Sequence, residues 1–311
     1  MGRSSKIGGM GDPLLGAIEA GGTKFLCALA TEPGDIVAQK RIETGGPQET
    51  IEQVAAFFRM PGVPLLAIGI GSFGPVQLDR SASNYGFITS TPKREWRDFD
   101  IVGAVRSYFE VAIGFDTDVN AAALAEHHWG AAQGLRTFLY VTVGTGIGGG
   151  AMVEGALLHG RSHPEMGHIR IPHDHAFRGV CPYHGDCLEG LASGVAMEAR
   201  WNTPAPDLPD DHPAWAIEAD YLAIACANWI ATLSPERIIL GGGVMRPHLF
   251  PMLRERVTRL LGDYMKGSEL VPSPLAGRAG VLGALVLAQA ALNSASKNAS
   301  TSPRISPLSR A

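Results

Sequence analysis

Long apolar runs are missing from this chain. A helix that spans a bilayer needs about 20 apolar residues in succession. The best stretches, Tyr221 to Leu233 and Ala279 to Leu292, are shorter and are broken by Asn228 and Gln289, so both read as buried helices. The opening residues MGRSSKIGGMGDP lack the apolar centre of a signal peptide. Cysteine is scarce, with four residues in 311, which argues against a secreted disulfide framework. A cytoplasmic protein with no membrane partner is therefore expected. Basic charge is not in surplus either: 26 Lys and Arg face 30 Asp and Glu, for a formal charge of -4. Nucleic acid and anionic surfaces call for a basic face, so neither is an expected partner. The G-x-x-x-x-G-K-[ST] phosphate loop is absent as well.

What is present is an ordinary globular composition, 45% apolar, with 39 glycines. The length suits about two domains of roughly 150 residues. Residues 1–13 read as a flexible start and 293–311 as a disordered, Ser-rich tail. Leu14 to Ala20 and Phe25 to Ala30 form apolar runs around a Gly turn, a hairpin pattern. Ile36 to Ile42 and Leu65 to Ile70 read as further strands, and Pro47 to Arg59 as a helix that starts at Pro. Asp100 to Phe109 reads as a helix and Val111 to Phe115 as a strand. Asp118 to Gln133 is predicted helical, then Phe138 to Val143 a strand, a run of glycines, and a strand at Ala151 to Val153. The strand, Gly turn, strand pattern thus occurs twice, which suggests two similarly built halves. Further helices are predicted at 213–233, 247–262 and 279–292, with a strand at 238–240 before Gly241, Gly242 and Gly243.

Four segments could carry chemistry. Gly144-Thr145-Gly146-Ile147-Gly148-Gly149 fits G-x-G-x-x-G, but a strand-like stretch follows where a dinucleotide fingerprint needs a helix. It remains either a backbone cradle for phosphate or a flexible loop. Glu19-Ala20-Gly21-Gly22-Thr23-Lys24 sets an acid, backbone amides and a hydroxyl together, as a metal-bound triphosphate would use; it is equally an ordinary hairpin turn. Asp116-Thr117-Asp118-Val119-Asn120 lies between a strand and a helix. Asp is a good helix cap, which accounts for one acid but not for two at a strand end. Residues 160–190 are irregular and rich in His. Within them His168, Cys181, His184 and Cys187 offer the four N and S ligands of tetrahedral zinc, with a Cys181–Cys187 disulfide as the rival. His173 and His175 receive no role, and Cys27 and Cys226 read as core thiols.

Together these segments resemble the ROK family of sugar kinases, of the actin-like ATPase superfamily, across Leu14 to Leu292. Within that family the Glu-Ala-Gly-Gly-Thr-Lys start and the Cys-Pro-Tyr-His-Gly-Asp-Cys segment look like the zinc-containing bacterial fructokinases. The resemblance implies an α/β, two-lobed, ribonuclease H-like fold with a cleft between the lobes. The first lobe would cover 14–117, completed by the helix at 279–292, and the second 118–278. It implies ATP-dependent transfer of phosphate to the C6 hydroxyl of D-fructose, with Mg2+ and Zn2+ as cofactors and a homodimer as the assembly. Asp118 would be the general base. Gly21, Gly22, Thr23 and Lys24 would form one phosphate loop and Gly144, Thr145 and Gly146 the other, with Gly241 to Gly243 near the adenosine. Thr117, Glu165, His168 and Glu189 would face the sugar. Two departures stand out: Glu19 replaces the Asp of many members, and Thr117 replaces an Asn, which favours a sugar other than glucose. The alternatives are a kinase for glucose, mannose or an N-acetylhexosamine, and a sugar-responsive regulator of the same family. The regulator would need a DNA-binding unit before the first Gly turn, where 18 residues precede Glu19.

Overall fold

The computed structural model describes residues 12–301. The first half runs β1 (Leu14–Ala20), β2 (Lys24–Glu32), β3 (Asp35–Glu43), α1 (Pro47–Phe58), β4 (Leu65–Ser72), the two-residue strands β5 (Phe87–Ile88) and β6 (Phe99–Asp100), α2 (Ile101–Arg106) and β7 (Ala112–Thr117). The second runs α3 (Asp118–Trp129), β8 (Phe138–Val143), β9 (Ile147–Val153), β10 (Ala156–Leu157), α4 (Leu188–Ala192), α5 (Gly194–Trp201), α6 (Ala214–Leu233), β11 (Arg237–Gly241), α7 (Leu249–Leu261), β12 (Glu269–Pro272) and α8 (Ala279–Thr301).

The two large sheets share one topology. The first is ordered β3-β2-β1-β4-β7 and the second β10-β9-β8-β11-β12. In each, three antiparallel strands are followed by two that lie parallel to the third. The duplicated pattern read from the two Gly turns is therefore a duplicated sheet, and the architecture is the expected mixed α/β one. Edge position explains the sequence of β3, where exposed Lys40 and Arg41 are tolerated, whereas β1 and β4, but for Glu19 and Ser72 near their ends, are apolar on both faces.

Helices α3 and α8 fill the layer between the sheets. Ala17 and Ala67 of the first sheet, Phe138, Tyr140 and Ile239 of the second, Val119 of α3 and Leu285 of α8 share one buried cluster. Small residues make this possible. A Cβ placed on Gly283 of α8 would sit 1.6 Å from the carbonyl oxygen of Ala121 in α3. Each sheet also covers a core on its outer face. Phe25, Ile51, Phe58, Ile68 and Trp96 build the first, and Leu139, Trp215, Leu222, Leu240 and Leu253 the second.

The sequence reading is corrected at three helices, the first being α2, which stops at Arg106 rather than Phe109. The helix that begins at Asp118 stops at Trp129, before Gly130. Helix α8 continues past Leu292 to Thr301, so residues 293–301, expected to be disordered, are helical. The flexible start expected over 1–13 and the rest of that tail lie almost wholly outside the described residues. Its added length makes Ala279–Asn298 a 20-residue segment of mean hydropathy 1.4, long and apolar enough to cross a membrane by composition; half of it is buried inside the fold.

Candidate active site

Four strands end at one crevice. β1 leads into Gly21, β4 into Phe73-Gly74-Pro75, β7 into Asp118 and β8 into Gly144. Ligands of α/β proteins bind at such carboxyl ends, because the chain turns away there and leaves main-chain groups and short side chains uncovered. The cleft encloses about 840 Å³, and Gly22, Thr23, Thr117, Asp118, Gly144, Thr145, Gly146, Glu165, His168, Cys181, His184 and Glu189 all line it. Segments distant in sequence are thus brought together as expected. Gly21, Lys24 and the three glycines 241–243 do not line the cleft. Gly21 closes the hairpin turn instead, its N–H donating to the Lys24 carbonyl at 3.0 Å, and Lys24 is exposed. Gly242 adopts φ +95° beside the floor of the cleft, where Val244 N–H donates to the Val143 carbonyl at 3.0 Å.

The strand-to-helix junction separates its two acids by role. The cap of α3 is Thr117, whose Oγ1 accepts from Asn120 N–H at 3.1 Å, so neither Asp serves as the cap. Asp116 is buried and fully engaged: it accepts from Thr117 N–H at 2.8 Å and Asn120 Nδ2 at 2.7 Å, and lies 2.8 Å from His159 Nε2. Asp118 faces the cleft and accepts from Val119 N–H at 2.9 Å. Desolvation raises its carboxyl pKa to about 6. Glu165 is pushed up to about 7 by burial, then by the charges of Asp118 and Glu189. Asp118 is therefore mostly ionised at neutral pH yet basic enough to take a hydroxyl proton in flight.

Glu189 joins two functions. Its Oε2 accepts from Ile147 N–H at 2.9 Å, which ties it to the second Gly turn. Its Oε1 lies 4.0 Å from His168 Nε2. A Cβ on Gly146 would meet Glu189 Oε2 at 2.5 Å, whereas Gly144 faces open space. Gly146 is thus glycine to admit a carboxylate, and Gly144 leaves its face free for a ligand. The N-terminus of α5 also meets this turn, with Gly194 N–H donating to the Gly144 carbonyl at 2.7 Å. Glu19 points elsewhere: its side chain packs on Gly280 and takes a hydrogen bond from the Val281 backbone at the start of α8. Burial, then the charge of Asp118, holds it at about 7.

The Cys/His segment closes on itself. His168, Cys181, His184 and Cys187 present ligand atoms within 4.8 Å of one another. All four cysteines are free, so the disulfide alternative falls away. His168 Nδ1 lies 3.4 Å from Cys187 Sγ and 3.3 Å from His184 Nδ1, and Cys181 Sγ lies 3.8 and 3.6 Å from the same two nitrogens. Tetrahedral zinc, with bonds of about 2.3 Å to sulfur and about 2.0 Å to nitrogen, implies N···N near ~3.3 Å and N···S near ~3.6 Å. The donor set fits that ion. Burial raises the Cys187 thiol to about 11, so metal binding there must displace a proton.

Three features escaped the sequence reading. The Asp116–His159–Asn120 cluster joins residues 39 and more positions apart, a contact only the fold creates. His163, 6% exposed, lines the cleft with its Nδ1 unpartnered; burial lowers its pKa and keeps it neutral. The Ser90–Lys93 loop supplies the wall opposite the Cys/His segment, with Lys93 beside Gly22. No motif marked it, although Thr-Pro before a Lys is a turn signal.

Similar proteins agree with this geometry. The chain matches the profile of the ROK family over residues 15–291. It is 44% identical to a fructokinase of Pediococcus pentosaceus, with 91% of this chain and all of that protein aligned. It is 43% identical to a fructokinase of Zymomonas mobilis, over 90% of this chain and 98% of that one. Among solved structures, a ROK family glucokinase from Streptomyces griseus in complex with glucose and AMPPNP superposes with a TM-score of 0.74 at 25% identity, covering 89% of this chain and 99% of that one. With a duplicated sheet, a cleft at the strand ends and a match over almost its whole described length, the chain belongs to the ROK family.

Proposed function

We propose that the protein is a fructokinase that transfers the γ-phosphate of ATP to the C6 hydroxyl of D-fructose. The observation that carries this reading is the carboxylate of Asp118, raised to about 6, in a cleft that also holds two Gly turns. The 43–44% identical fructokinases support the choice of sugar. In this reading Asp118 accepts the hydroxyl proton as the oxygen attacks phosphorus. Gly22 and Thr23 on one lobe and Gly144 to Gly146 on the other hold the phosphates through backbone amides. Gly241 to Gly243 border the adenosine side. Mg2+ bound with ATP would supply neutralisation of the charge that develops on the phosphates. Glu165, His168 and Glu189 orient the sugar hydroxyls, and Thr117 adds a small neutral wall. Lys24 serves the hairpin rather than the phosphates.

Zn2+ would be held by His168, Cys181, His184 and Cys187, with no open position, so its part is structural. His168 keeps Nδ1 for the metal side while Nε2 faces Glu189, so one ring orders both loop and cleft. We assign the lobes to 14–117 with α8 and to 118–278, the assembly to a homodimer and the location to the cytoplasm. A panel of hexoses in a coupled ADP-release assay tests the function. Fructose should give the highest kcat/KM, and a preference for glucose, mannose or an N-acetylhexosamine would move the assignment to another kinase of the family.

A further inference from the structure

We infer that Tyr183 is a positioning residue that carries order from the Cys/His cluster across the cleft to the opposite wall. This rests on the reading of the cleft as the sugar kinase site. Tyr183 lies between two members of the cluster, at the tip of a tight turn in which Cys181 and Gly185 exchange backbone hydrogen bonds at 3.1 and 2.9 Å. Cys181 Sγ and His184 Nδ1, on either side of it, are 3.6 Å apart. A metal held by both would therefore clamp the turn at its base. From that tip the phenol reaches the other lobe. Tyr183 Oη donates to the Ser90 carbonyl at 3.0 Å, and Arg97 Nη2 donates to Tyr183 Oη at 3.4 Å and to the Thr91 carbonyl at 3.3 Å.

The receiving loop is anchored on its own side. Trp96 is 1% exposed and donates through Nε1 to the Gly45 carbonyl at 2.9 Å, with Phe25, Phe73 and Phe99 around its ring. Both ends of the bridge line the cleft, Ser90 to Lys93 on one wall and Val180 to His184 on the other. The phenol is half exposed, and its hydroxyl makes the contacts that reach the opposite wall, so the hydroxyl is what the position uses. A single neutral hydrogen bond shifts an equilibrium roughly 2- to 10-fold. That is enough to bias how long the walls stay together around a small sugar, and so how well water is kept from the phosphate.

Tyr183→Phe removes that oxygen and leaves every cluster ligand in place. In ligand-free enzyme, hydrogen–deuterium exchange of amides 90–98 should quicken by about 2- to 10-fold, with zinc content unchanged. The KM for fructose should rise by a similar factor with KM for ATP unchanged, and ADP should form in excess of sugar phosphate. Chelation of zinc from the parent should quicken exchange at 90–98 as the substitution does, and should add nothing there in Tyr183→Phe. Exchange at 90–98 equal to the parent's, or an equal response of both proteins to the chelator, would overturn the inference. A parent enzyme that phosphorylates no hexose would refute the kinase reading instead, and the exchange comparison would still decide the bridge.

Discussion

Asp118 shows how much a single side chain draws from its surroundings. Desolvation raises its carboxyl from 3.8 to about 6, so the folded protein binds a proton there that the unfolded chain has already released between those values. The charged form therefore costs stability. That cost is fully present above pH ~6 and is relieved as pH falls toward ~4. Asp118→Asn should consequently melt about 2–5 °C higher than the parent at pH 8, with the gap closing on acidification, while turnover drops by about 10²–10⁴-fold. Calorimetry across pH together with steady-state kinetics checks both halves. The acid limb of kcat/KM should fall as pH drops through about 6. Gly146→Val is a different case. Its Cβ would meet the Glu189 carboxylate before it met any phosphate. We expect KM for sugar and for ATP to rise together, because Glu189 holds Ile147 N–H and also faces His168. Isothermal titration with each ligand would show whether both affinities change. The sequence pointed to Gly146 as a phosphate contact, and nothing in it said that an acid 43 positions later would occupy the space beside it.

Among the elements, α8 and the Cys/His loop are held by opposite means. α8 is held by close packing of small residues in the interior layer. Gly283→Val would force a Cβ into the Ala121 carbonyl, so we expect a loss of at least about 3 kcal/mol, read as lower soluble yield and a lower denaturant midpoint. The segment 160–190 lends Met166, Ile171 and Leu188 to the outer core, whereas its Cys/His turn would be held by its ligands instead. Cys181→Ser should lower zinc content and raise KM for fructose several-fold with a smaller effect on ATP; elemental analysis and kinetics on the same preparation test it. Helix α3 was legible as a helix from its alanines, but its cap was not. Thr117 outcompetes two adjacent acids for that place, because Asp116 is drawn into the His159 contact and Asp118 turns to the cleft.

For the whole molecule, the consequence of the fold is that two sheets of one design face each other across a helical layer and leave their strand ends at a shared opening. In the proposed reading, binding energy for sugar and nucleotide would be spent on bringing the two lobes together. A ligand at about 100 times its Kd should stabilise the native state by about 2.7 kcal/mol. Fructose should therefore raise the melting temperature of the holoenzyme, and glucose at the same concentration should raise it less. Thermal shift measurements with both sugars provide the comparison.

The sequence alone determined the strand, Gly turn, strand units and their duplication, since Gly turns and apolar runs are local signals. It also marked His168, Cys181, His184 and Cys187 as a candidate ligand set, because ligand type and short spacing restrict where such residues can meet, and the fold brings the four together. It could not determine which glycine faces a ligand and which faces a carboxylate, nor the direction of Glu19, which turns to the start of α8. The Asp116–His159 contact and the reach of Tyr183 to Ser90 were equally beyond it. Each of these joins residues 43 or more positions apart, or nearly the full chain length in the case of Glu19 and Val281. Such contacts depend on how two sheets and a helical layer are set against one another, and the free energy that selects them comes from burial summed over the whole core rather than from any local stretch.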